Sequence, residues 1–500
     1  MEICIYLEYE KVREMKLSEL LKELDYQFIQ GELDNEVTQI DYDSRCVKEG
    51  SLFVCIPGAK VDGHSFIKQV IQNGAKTIVV EHPVEYQQGI TYIMVENARK
   101  ALALLSCAFF HHPSREMTVI GLTGTKGKTT TSYMVASILE KAHQKVGIIG
   151  TIGSMINGEL RKTKNTTPES FELQRLMREM VDAGCEYCVM EVSSQGLMLD
   201  RVTGIDFDIG VFTNLSPDHI GENEHHSFEH YMSCKKKLFQ MCRIGLFNRD
   251  DDHYSDMIDQ AKCQIKTYSI QQPSDLQASH IELYKEENVL GVTFDTKGVI
   301  EASFQTNIPG KFSVYNSLVA IMICYLLHID IPYIQAALKQ VSVKGRVEIV
   351  PVPRPYTVLI DYAHNALSFD SILSTMSEYH PHRIYCVYGL GGHRDVHRRY
   401  DAGAIVAKYH AFSILTADNP RGESVHDICD NIIEGIEQEK GEYIVIEDRQ
   451  EAIYYALTHA QAGDVILCLG KGHEDYQILN DEPLPFSERQ IIEEYFQEKD

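Results

Sequence analysis

Residues 118 to 131, Thr-Val-Ile-Gly-Leu-Thr-Gly-Thr-Lys-Gly-Lys-Thr-Thr-Thr, constrain the fold of this chain more than any other segment. An apolar run, two closely spaced glycines and a following helical pattern predict a buried strand that passes through a tight turn into a helix. Backbone N–H groups of such a turn, together with the N-terminus of the helix, bind phosphate oxygens. The segment therefore predicts a nucleotide phosphate site at the end of a buried strand.

The loop within this segment predicts the ATP-binding residues one by one. In a P-loop the lysine, here Lys128, reaches the β and γ phosphates, and the next hydroxyl, Thr129, binds Mg²⁺. The usual pattern has a glycine five places before the second glycine, whereas residue 122 is leucine, so this loop is a compressed variant. The alternative is a glycine turn that only joins a strand to a helix. The predicted phosphate-binding residues are Gly124, Thr125, Lys126, Gly127, Lys128, Thr129 and Thr130.

Length and composition favour a multidomain cytoplasmic enzyme. Five hundred residues with 44% hydrophobic content predict two to four domains. The net charge of -25 disfavours non-specific binding to nucleic acid or anionic membranes. No apolar run approaches the roughly 20 residues that span a bilayer, and the acidic N-terminus does not resemble a signal peptide. We therefore expect neither a nucleic-acid partner nor membrane insertion, and we expect a cytoplasmic monomer.

The 13 cysteines lack the dense spacing of a disulfide scaffold and indicate reduced thiols. The pair Cys185 and Cys188 has no second pair to complete a zinc site. We interpret these two residues as alternate core and surface positions on a strand.

Strand-like and helical runs alternate along three stretches of the chain, which predicts an α/β fold with largely parallel sheets. The limits fall near 114, where His-His-Pro-Ser indicates a linker, and near 345. Domains are thus expected at 1–114, 115–345 and 346–500, the second being the P-loop domain. Within it, 253–306 predicts a subsidiary sheet and 314–327 a helix. Further predicted strands are 51–57, 76–80, 145–149, 187–191, 209–213, 357–361, 383–388, 411–416 and 464–469.

Polar side chains at strand ends are the candidates for metal binding. Glu191 ends an apolar strand and is suited to Mg²⁺, although a solvated strand-end carboxylate has the same pattern. His219 follows the next strand and is a candidate for a second metal or, alternatively, a cap or core histidine. Lys235 is one of three consecutive lysines, and composition alone does not select among them.

A set of motifs resembles the Mur ligase family of peptidoglycan synthesis over residues 17 to 490. The resemblance is strongest to the members that add the third residue of the peptide. Its motifs are Asp43-Ser-Arg45, Asp62-Gly-His64, 124–130, Asn165-Thr-Thr-Pro168, Glu191-Val-Ser-Ser194, Thr213-Asn-Leu215, Asp218-His219, Lys235-x-x-x-Phe239, Asp361-Tyr-Ala-His364, Asp418-Asn-Pro-Arg421 and 470–477. The family has three domains, in which a small N-terminal α/β domain and a Rossmann-like C-terminal domain flank the central P-loop domain.

The resemblance implies roles for further residues. Lys235 would be the lysine that becomes a carbamate and joins Thr129, Glu191 and His219 around Mg²⁺; the catalytic set would be Lys128, Glu191, His219 and Lys235. Asn316 and Arg346 would belong to the ATP site. The residues implied to bind the UDP-linked substrate in the N-terminal and central domains are Ser44, Ala59, Lys60, Val61, Asn165, Thr166, Thr167, Ser193 and Arg201.

The C-terminal domain would bind the amino acid. Arg394 and Arg421 would pair with a second carboxylate and so favour meso-diaminopimelate over lysine. A proline turn after a strand is the alternative for Asp-Asn-Pro-Arg. The residues implied are Arg394, Asp418, Asn419, Pro420, Arg421, Gly470 and Glu474.

The expected activity is ATP-dependent ligation of meso-diaminopimelate to UDP-N-acetylmuramoyl-L-alanyl-D-glutamate through an acyl phosphate, with Mg²⁺ as cofactor. Alternatives are the same reaction with lysine or another amino acid, and a ligase similar to folylpolyglutamate synthase. A P-loop ATPase switch and a non-catalytic scaffold are alternatives of different classes. Several positions depart from the family pattern. Gln195 and Gly196 replace the usual His-Ala, Leu199 stands where a glutamine is often found, and His393 and Tyr400 alter the usual surroundings. In addition, His219 is followed by Ile-Gly-Glu-Asn-Glu-His-His, about two residues longer than the commoner Leu-Asp-Tyr-His.

Overall fold

The computed structural model describes residues 14–58, 61–218, 220–221, 224–286, 289–393 and 396–497. The chain forms two compact units. The first comprises the chain up to residue 132 together with 143–267, and the second comprises 133–142 and the chain from 268 onward.

The first unit begins with a small α/β layer. Its five-stranded sheet is parallel except for the first strand in spatial order, which pairs antiparallel. The helix Ala98–Phe109 packs on this sheet because Ala98, Ala101, Leu102 and Leu105 fall on one face and are buried. The strands, in spatial order, are Gln27–Gln30, Thr91–Met94, Thr77–Val80, Ser51–Val54 and Gln39–Asp41. The other elements are Met15–Lys16 paired with Glu36–Val37, and the helices Leu17–Leu20, Gly63–Phe66, Ile67–Gln72 and Pro113–Arg115.

A second, larger sheet in the first unit carries the P-loop strand at its centre. Five of its strands are parallel, as their apolar composition predicts, so that their carboxyl ends share one edge. The strands, in spatial order, are Glu159–Arg161, Ser154–Ile156, Val146–Ile149, Tyr187–Glu191, Thr118–Thr123, Phe207–Phe212 and Cys242–Asn248. The helices that follow these strands are Lys128–Lys141, Ser170–Asp182, Ser194–Met198, Phe228–Lys236, Leu238–Met241 and Tyr254–Ile258.

The interpretation of Cys185 and Cys188 as alternate core and surface positions is wrong. The strand begins only at Tyr187, after a turn at Gly184 that places Cys185 against the same hydrophobic core as Cys188. Both are buried free thiols.

The second unit contains three antiparallel strands in the region where the sequence predicts a subsidiary sheet. They are Leu276–Glu286, Val289–Gly298 and Ala302–Thr306, and the short strand Gln264–Ser269 precedes them. The helix Lys311–Leu326 follows and begins three residues earlier than predicted. It is apolar on almost every side, which is typical of a helix buried in a core. The helix Ile331–Leu338 comes next.

The remainder of the second unit is a doubly wound α/β layer. Its six-stranded sheet is parallel except for the edge strand Glu348–Val350. The strands, in spatial order, are Glu348–Val350, Thr357–Asp361, Val465–Leu469, Ile384–Tyr388, Phe412–Leu415 and Tyr443–Val445, and Tyr476–Leu479 forms a hairpin with Glu482–Pro485. The helices are Ala366–Ser377, Val396–Lys408, Val425–Gln438, Arg449–His459 and Glu488–Gln497. The predicted α/β alternation is confirmed.

Candidate active site

The P-loop has the backbone that its glycines predict. Gly124 and Gly127 both adopt positive φ, 147° and 87°. A Cβ at Gly124 would lie 2.0 Å from the hydroxyl of Thr213, so the chain admits only glycine there. Lys128 opens the following helix, and its Nζ donates to the carbonyl groups of Gly124 and Thr125 at 2.9 and 3.1 Å. The loop therefore holds a cation against its own carbonyl groups at the start of the helix.

Two residues of the neighbouring strand end brace this loop. The side-chain oxygen of Asn214 accepts from the N–H of Lys126 at 2.9 Å, and its carbonyl accepts from the N–H of Thr125 at 2.9 Å. The hydroxyl of Thr213 donates to the carbonyl of Lys126 at 2.7 Å. The sequence placed both residues in a family motif without giving them a role, and their contacts show that they fix the loop conformation.

Glu191 lies beside the P-loop hydroxyl. Its Oε1 accepts from Thr129 Oγ1 at 2.9 Å and from the N–H of Thr151 at 2.9 Å, and its Oε2 accepts from Thr151 Oγ1 at 3.1 Å. The side chain is buried rather than solvated. Hydroxyl and carboxylate oxygens are the donors that Mg²⁺ prefers, so this pair fits the metal that the family implies. Thr151 is a contributor that sequence reasoning missed.

Lys235 is buried at the same edge of the sheet. Lys235 is only 1% exposed. Its Nζ donates to the carbonyl of Gly124 at 2.8 Å and lies 4.4 Å from the centroid of the Tyr231 ring. Burial, and then the charge of Lys128, lower the pKa of Lys235 well below its usual value. A neutral amine is the form that adds carbon dioxide, so the environment favours the chemistry of a carbamate.

Several residues predicted to bind the UDP-linked substrate lie around Glu191. Thr167 Oγ1 donates to the carbonyl of Glu191 at 2.9 Å and lies 3.1 Å from Ser193 Oγ, while Thr166 Oγ1 lies 3.1 Å from Thr151 Oγ1. Arg201 is buried and donates to the carbonyl of Thr167 at 3.0 Å. These contacts join the segment 165–167, which includes Asn165, to the strand end that carries Glu191.

The loop that carries Ser44 lies near this segment. A hydrogen bond from Arg45, together with the charges of Arg45 and Lys164, lowers the pKa of Asp43. Ser44 is buried between Asp43 and Arg45, and Val61 is exposed. The remaining predicted residues of this loop, Ala59 and Lys60, lie outside the described residues, as do His219 of the metal set and Arg394 of the amino-acid set.

The second unit carries the other predicted nucleotide residues. Asn316 is buried on the helix Lys311–Leu326. The guanidinium of Arg346 lies 4.9 Å from the centroid of the Tyr362 ring. Burial, followed by the charges of Arg346 and Lys344, lowers the pKa of His473 to about 4.

Predicted amino-acid-binding residues line one cleft of the second unit, at the carboxyl ends of its parallel strands. They are Asp418, Asn419, Arg421, Gly470 and Glu474, joined by Tyr362, His364, Arg398 and Arg399. Among the described residues the Arg421 guanidinium has no acidic partner. It is therefore available to a carboxylate that enters the cleft.

The buried Lys471 organises this cleft and was missed by sequence reasoning. Its Nζ donates to Asn419 Oδ1 at 2.8 Å and to Glu474 Oε2 at 3.1 Å, and lies 3.5 Å from Asp418 Oδ1. A fully buried ammonium needs such acceptors. One feature of the sequence could have identified Lys471. It directly follows Gly470 inside the motif 470–477, of which only Gly470 and Glu474 were predicted to bind the amino acid.

A second ion pair fixes the loop that carries Arg421. Arg399 is buried and pairs bidentately with Glu423 at 2.6 and 2.8 Å, which holds the pKa of Glu423 down at about 2. Glu423 also accepts from the N–H of His393 at 2.8 Å, and His393 Nε2 lies 2.9 Å from the carbonyl of Arg421. Arg421 adopts a φ of 51°. The loop, including Pro420, is thus held in one conformation by charge and hydrogen bonding.

The first unit has a parallel sheet with a P-loop, and the second unit has a doubly wound α/β layer. Together with the motifs described above, they are typical of an α/β ligase that uses a P-loop. Three family models match the chain: the Mur ligase family catalytic domain over residues 36–110, the Mur ligase middle domain over 122–324 and the Mur ligase glutamate ligase domain over 345–472. The chain belongs to the Mur ligase family and has its three-domain α/β fold.

Two relatives and one solved structure that are similar to this chain carry the same name. A protein of Clostridium perfringens (strain 13 / Type A) is 42% identical over 96% of this chain and 99% of its own length, and one of Clostridium botulinum (strain ATCC 19397 / Type A) is 43% identical over 97% and 100%. Both are named UDP-N-acetylmuramoyl-L-alanyl-D-glutamate--2,6-diaminopimelate ligase. A solved structure with the same name aligns with a TM-score of 0.71 at 25% identity, covering 97% of this chain and 99% of that one. Within the described part of the chain, no helix has the length and apolar character needed to span a membrane.

Proposed function

We propose that this chain joins meso-diaminopimelate to the D-glutamyl carboxylate of UDP-N-acetylmuramoyl-L-alanyl-D-glutamate, using ATP, in peptidoglycan synthesis. The observation that carries the proposal is the buried Lys235, whose Nζ is 2.8 Å from the P-loop carbonyl of Gly124. A P-loop switch needs no buried amine at this position. A ligase that uses a lysine carbamate beside the phosphates does.

The P-loop residues promote the first step. A carboxylate is a poor electrophile, so its oxygen attacks the γ phosphorus of ATP, the bond to the bridging oxygen breaks, and an acyl phosphate and ADP form. Lys128 and the loop amides stabilise the charge that spreads over the transferred phosphoryl group. Thr129, Glu191, His219 and the carbamate of Lys235 would hold Mg²⁺. When bound, the ion neutralises phosphate charge.

The cleft of the second unit supplies the acceptor. Arg421 pairs with a carboxylate of the diamino acid, while Asn419 and Glu474, both held by Lys471, offer further polar contacts. The amine attacks the acyl carbon, phosphate leaves, a proton is released and an amide forms. Because lysine has no second carboxylate, an arginine-lined cleft favours diaminopimelate. The domain limits at 114 and 345, the monomeric state and the cytoplasmic location stay predictions.

Phosphate release from ATP tests the proposal directly. The purified chain is supplied with Mg²⁺ and UDP-N-acetylmuramoyl-L-alanyl-D-glutamate, and meso-diaminopimelate, lysine, ornithine and no amino acid are compared. We expect phosphate release and a tripeptide product with diaminopimelate, and on the order of 100-fold lower kcat/KM with lysine, since the charge-assisted pair with Arg421 is lost.

Two results would contradict the proposal in different ways. Turnover with lysine but not with diaminopimelate would refute the role of Arg421 and retain the ligase. Phosphate release that is equal with and without an amino acid would favour the ATPase switch.

A further inference from the structure

We propose that His225, His230 and Cys234 form a site for a zinc-like divalent transition-metal ion, separate from the magnesium site. The donor atoms of these three residues all lie within 4.8 Å of one another. Two imidazole nitrogens and a thiolate are the donors that Zn²⁺ prefers, whereas Mg²⁺ prefers oxygen. The donor set therefore selects a different class of ion from the one that Thr129 and Glu191 would hold.

A single helix supplies two of the three ligands. His230 and Cys234 are four residues apart on Phe228–Lys236, so they share one face of the helix. The Ser227 side chain caps this helix by accepting from the N–H of His230 at 3.1 Å. Ligands on a capped helix are held with little conformational freedom, which favours metal binding.

His225 comes from the preceding segment and meets the helix at the same place. It is fully buried, and its ring centroid lies 5.1 Å from that of His230. Its Nε2 lies 2.9 Å from the hydroxyl of Ser194, so in the proposed site Ser194 orients the ring and Nδ1 binds the ion. Hydrogen bonds of this kind are typical of metal-bound histidines.

His230 brings an independent observation. Its Nδ1 is buried and has no hydrogen-bond partner among the described residues. Buried polar atoms are normally satisfied, and a metal ion would satisfy this one. Donors around tetrahedral Zn²⁺ lie about 3.5 Å apart, so the three donor atoms need to approach one another by little more than an ångström.

The neighbouring lysine does not occupy the site. Lys235 follows Cys234, but its Nζ donates to the P-loop carbonyl of Gly124. A metal bound to Cys234 would therefore hold the helix Phe228–Lys236 without displacing Lys235, whose side chain contacts the P-loop.

A second cluster, Asp62, His64 and His82, has comparable spacing but is already satisfied. His64 Nδ1 lies 2.6 Å from Asp62 Oδ1, and His64 Nε2 accepts from the N–H of Glu81 at 3.1 Å. Nδ1 is engaged in the turn that begins the helix Gly63–Phe66, and Nε2 is engaged by the backbone that follows the strand Thr77–Val80. The cluster of Asp62, His64 and His82 therefore serves as the control: replacing one of its histidines should not change zinc binding.

Metal binding is measured on the full chain without a histidine tag, after chelator treatment and removal of the chelator. Equilibrium dialysis against Zn²⁺ is done with excess Mg²⁺ and ADP, which occupy the P-loop site. We expect one tightly bound zinc per chain, and Co²⁺ in its place should show a thiolate-to-cobalt charge-transfer band. Absence of tight zinc binding, or a cobalt complex without the thiolate band, would overturn the proposal.

Variants assign the ligands. Cys234→Ala and His230→Ala should each lose the tight zinc, and Ser194→Ala should weaken zinc affinity by about 10- to 100-fold. His226→Ala, whose ring stacks on His230, and His82→Ala of the second cluster should retain one equivalent. Retention of zinc by Cys234→Ala would overturn the assignment. The cobalt spectrum of the unmodified chain keeps the test valid if a variant fails to fold, and ligation is not a readout, so failure leaves the proposed ligase intact.

Discussion

At the scale of single residues, burial decides what Lys235 is able to do. Three consecutive lysines have the same chemistry in solution, but only Lys235 is fully buried against the P-loop, whereas Lys236 forms an ion pair with Asp259 at 3.1 Å on the helix exterior. Burial disfavours the ammonium form and so makes the amine of Lys235 available for carbamate formation.

Replacing Lys235 therefore tests the proposed metal side of the reaction. Lys235→Ala should lower kcat for ligation by on the order of 100-fold or more, because charge stabilisation of the transferred phosphoryl group is lost. Lys236→Ala is the matched control and should keep kcat within about twofold, as expected for an exposed ion pair. Steady-state product formation measures both. Wild-type turnover by Lys235→Ala would refute the carbamate.

At the scale of elements, loops at the carboxyl ends of parallel strands carry the residues of the proposed chemistry, and ion pairs hold these loops in place. The loop 418–423 is the clearest case. Its Arg421 has a positive φ, and the pair between Arg399 and Glu423 holds the loop on the helix Val396–Lys408. Positioning the cleft thus depends on a charge pair outside the set of residues that the family motif predicts.

Breaking that pair should loosen the acceptor cleft. Glu423→Gln leaves the buried Arg399 without a counter-charge, so we expect a loss of about 1–3 kcal/mol in the free energy of unfolding and a higher KM for diaminopimelate with an unchanged KM for ATP. Urea unfolding and steady-state kinetics measure these effects. The control, Glu442→Gln, removes an exposed partner of Arg383 and should cost under about 0.5 kcal/mol. Equal losses in the two variants would contradict the positioning role.

At the scale of the whole molecule, charge sets how stability responds to pH. The net charge of -25 makes self-repulsion among carboxylates the general background. His473 contributes separately to the pH dependence of stability. Its burial and the nearby Arg346 and Lys344 keep it neutral in the folded chain, with a pKa of about 4. In the unfolded chain a histidine titrates near 6.5.

His473 should therefore destabilise the chain in mild acid. Since its pKa is lower in the folded state, its contribution is complete above pH 6.5 and is lost as the pH falls toward 4. Because His473 is partly exposed, we expect the loss in the free energy of unfolding over this pH range to be about 1–2 kcal/mol, which is less than the full pKa difference would give. Thermal unfolding of wild type and His473→Gln is measured across this pH range. Because both proteins have the same carboxylates, the difference between their stabilities at each pH reports on His473 alone. Parallel pH profiles in the two proteins would contradict the prediction.

Sequence alone predicts features that are local in the chain. The P-loop follows from a strand, two glycines, a lysine and hydroxyls that adjoin one another, and the parallel sheets follow from repeated apolar runs such as 187–191 and 465–469. Cys185 shows the limit of this reasoning: a strand pattern predicts alternating exposure, but the residue precedes the strand and the core on that side covers it.

Sequence by itself therefore determined the α/β class, the Mur ligase family and the phosphate loop, because each is indicated by short motifs or apolar runs whose residues are adjacent along the chain. Tertiary structure decided which of three lysines is buried at the P-loop, that Lys471 organises the cleft proposed for the acceptor, and that His225, His230 and Cys234 converge beside Ser194. The physical reason is that burial, desolvation and donor distances arise only when distant segments pack together.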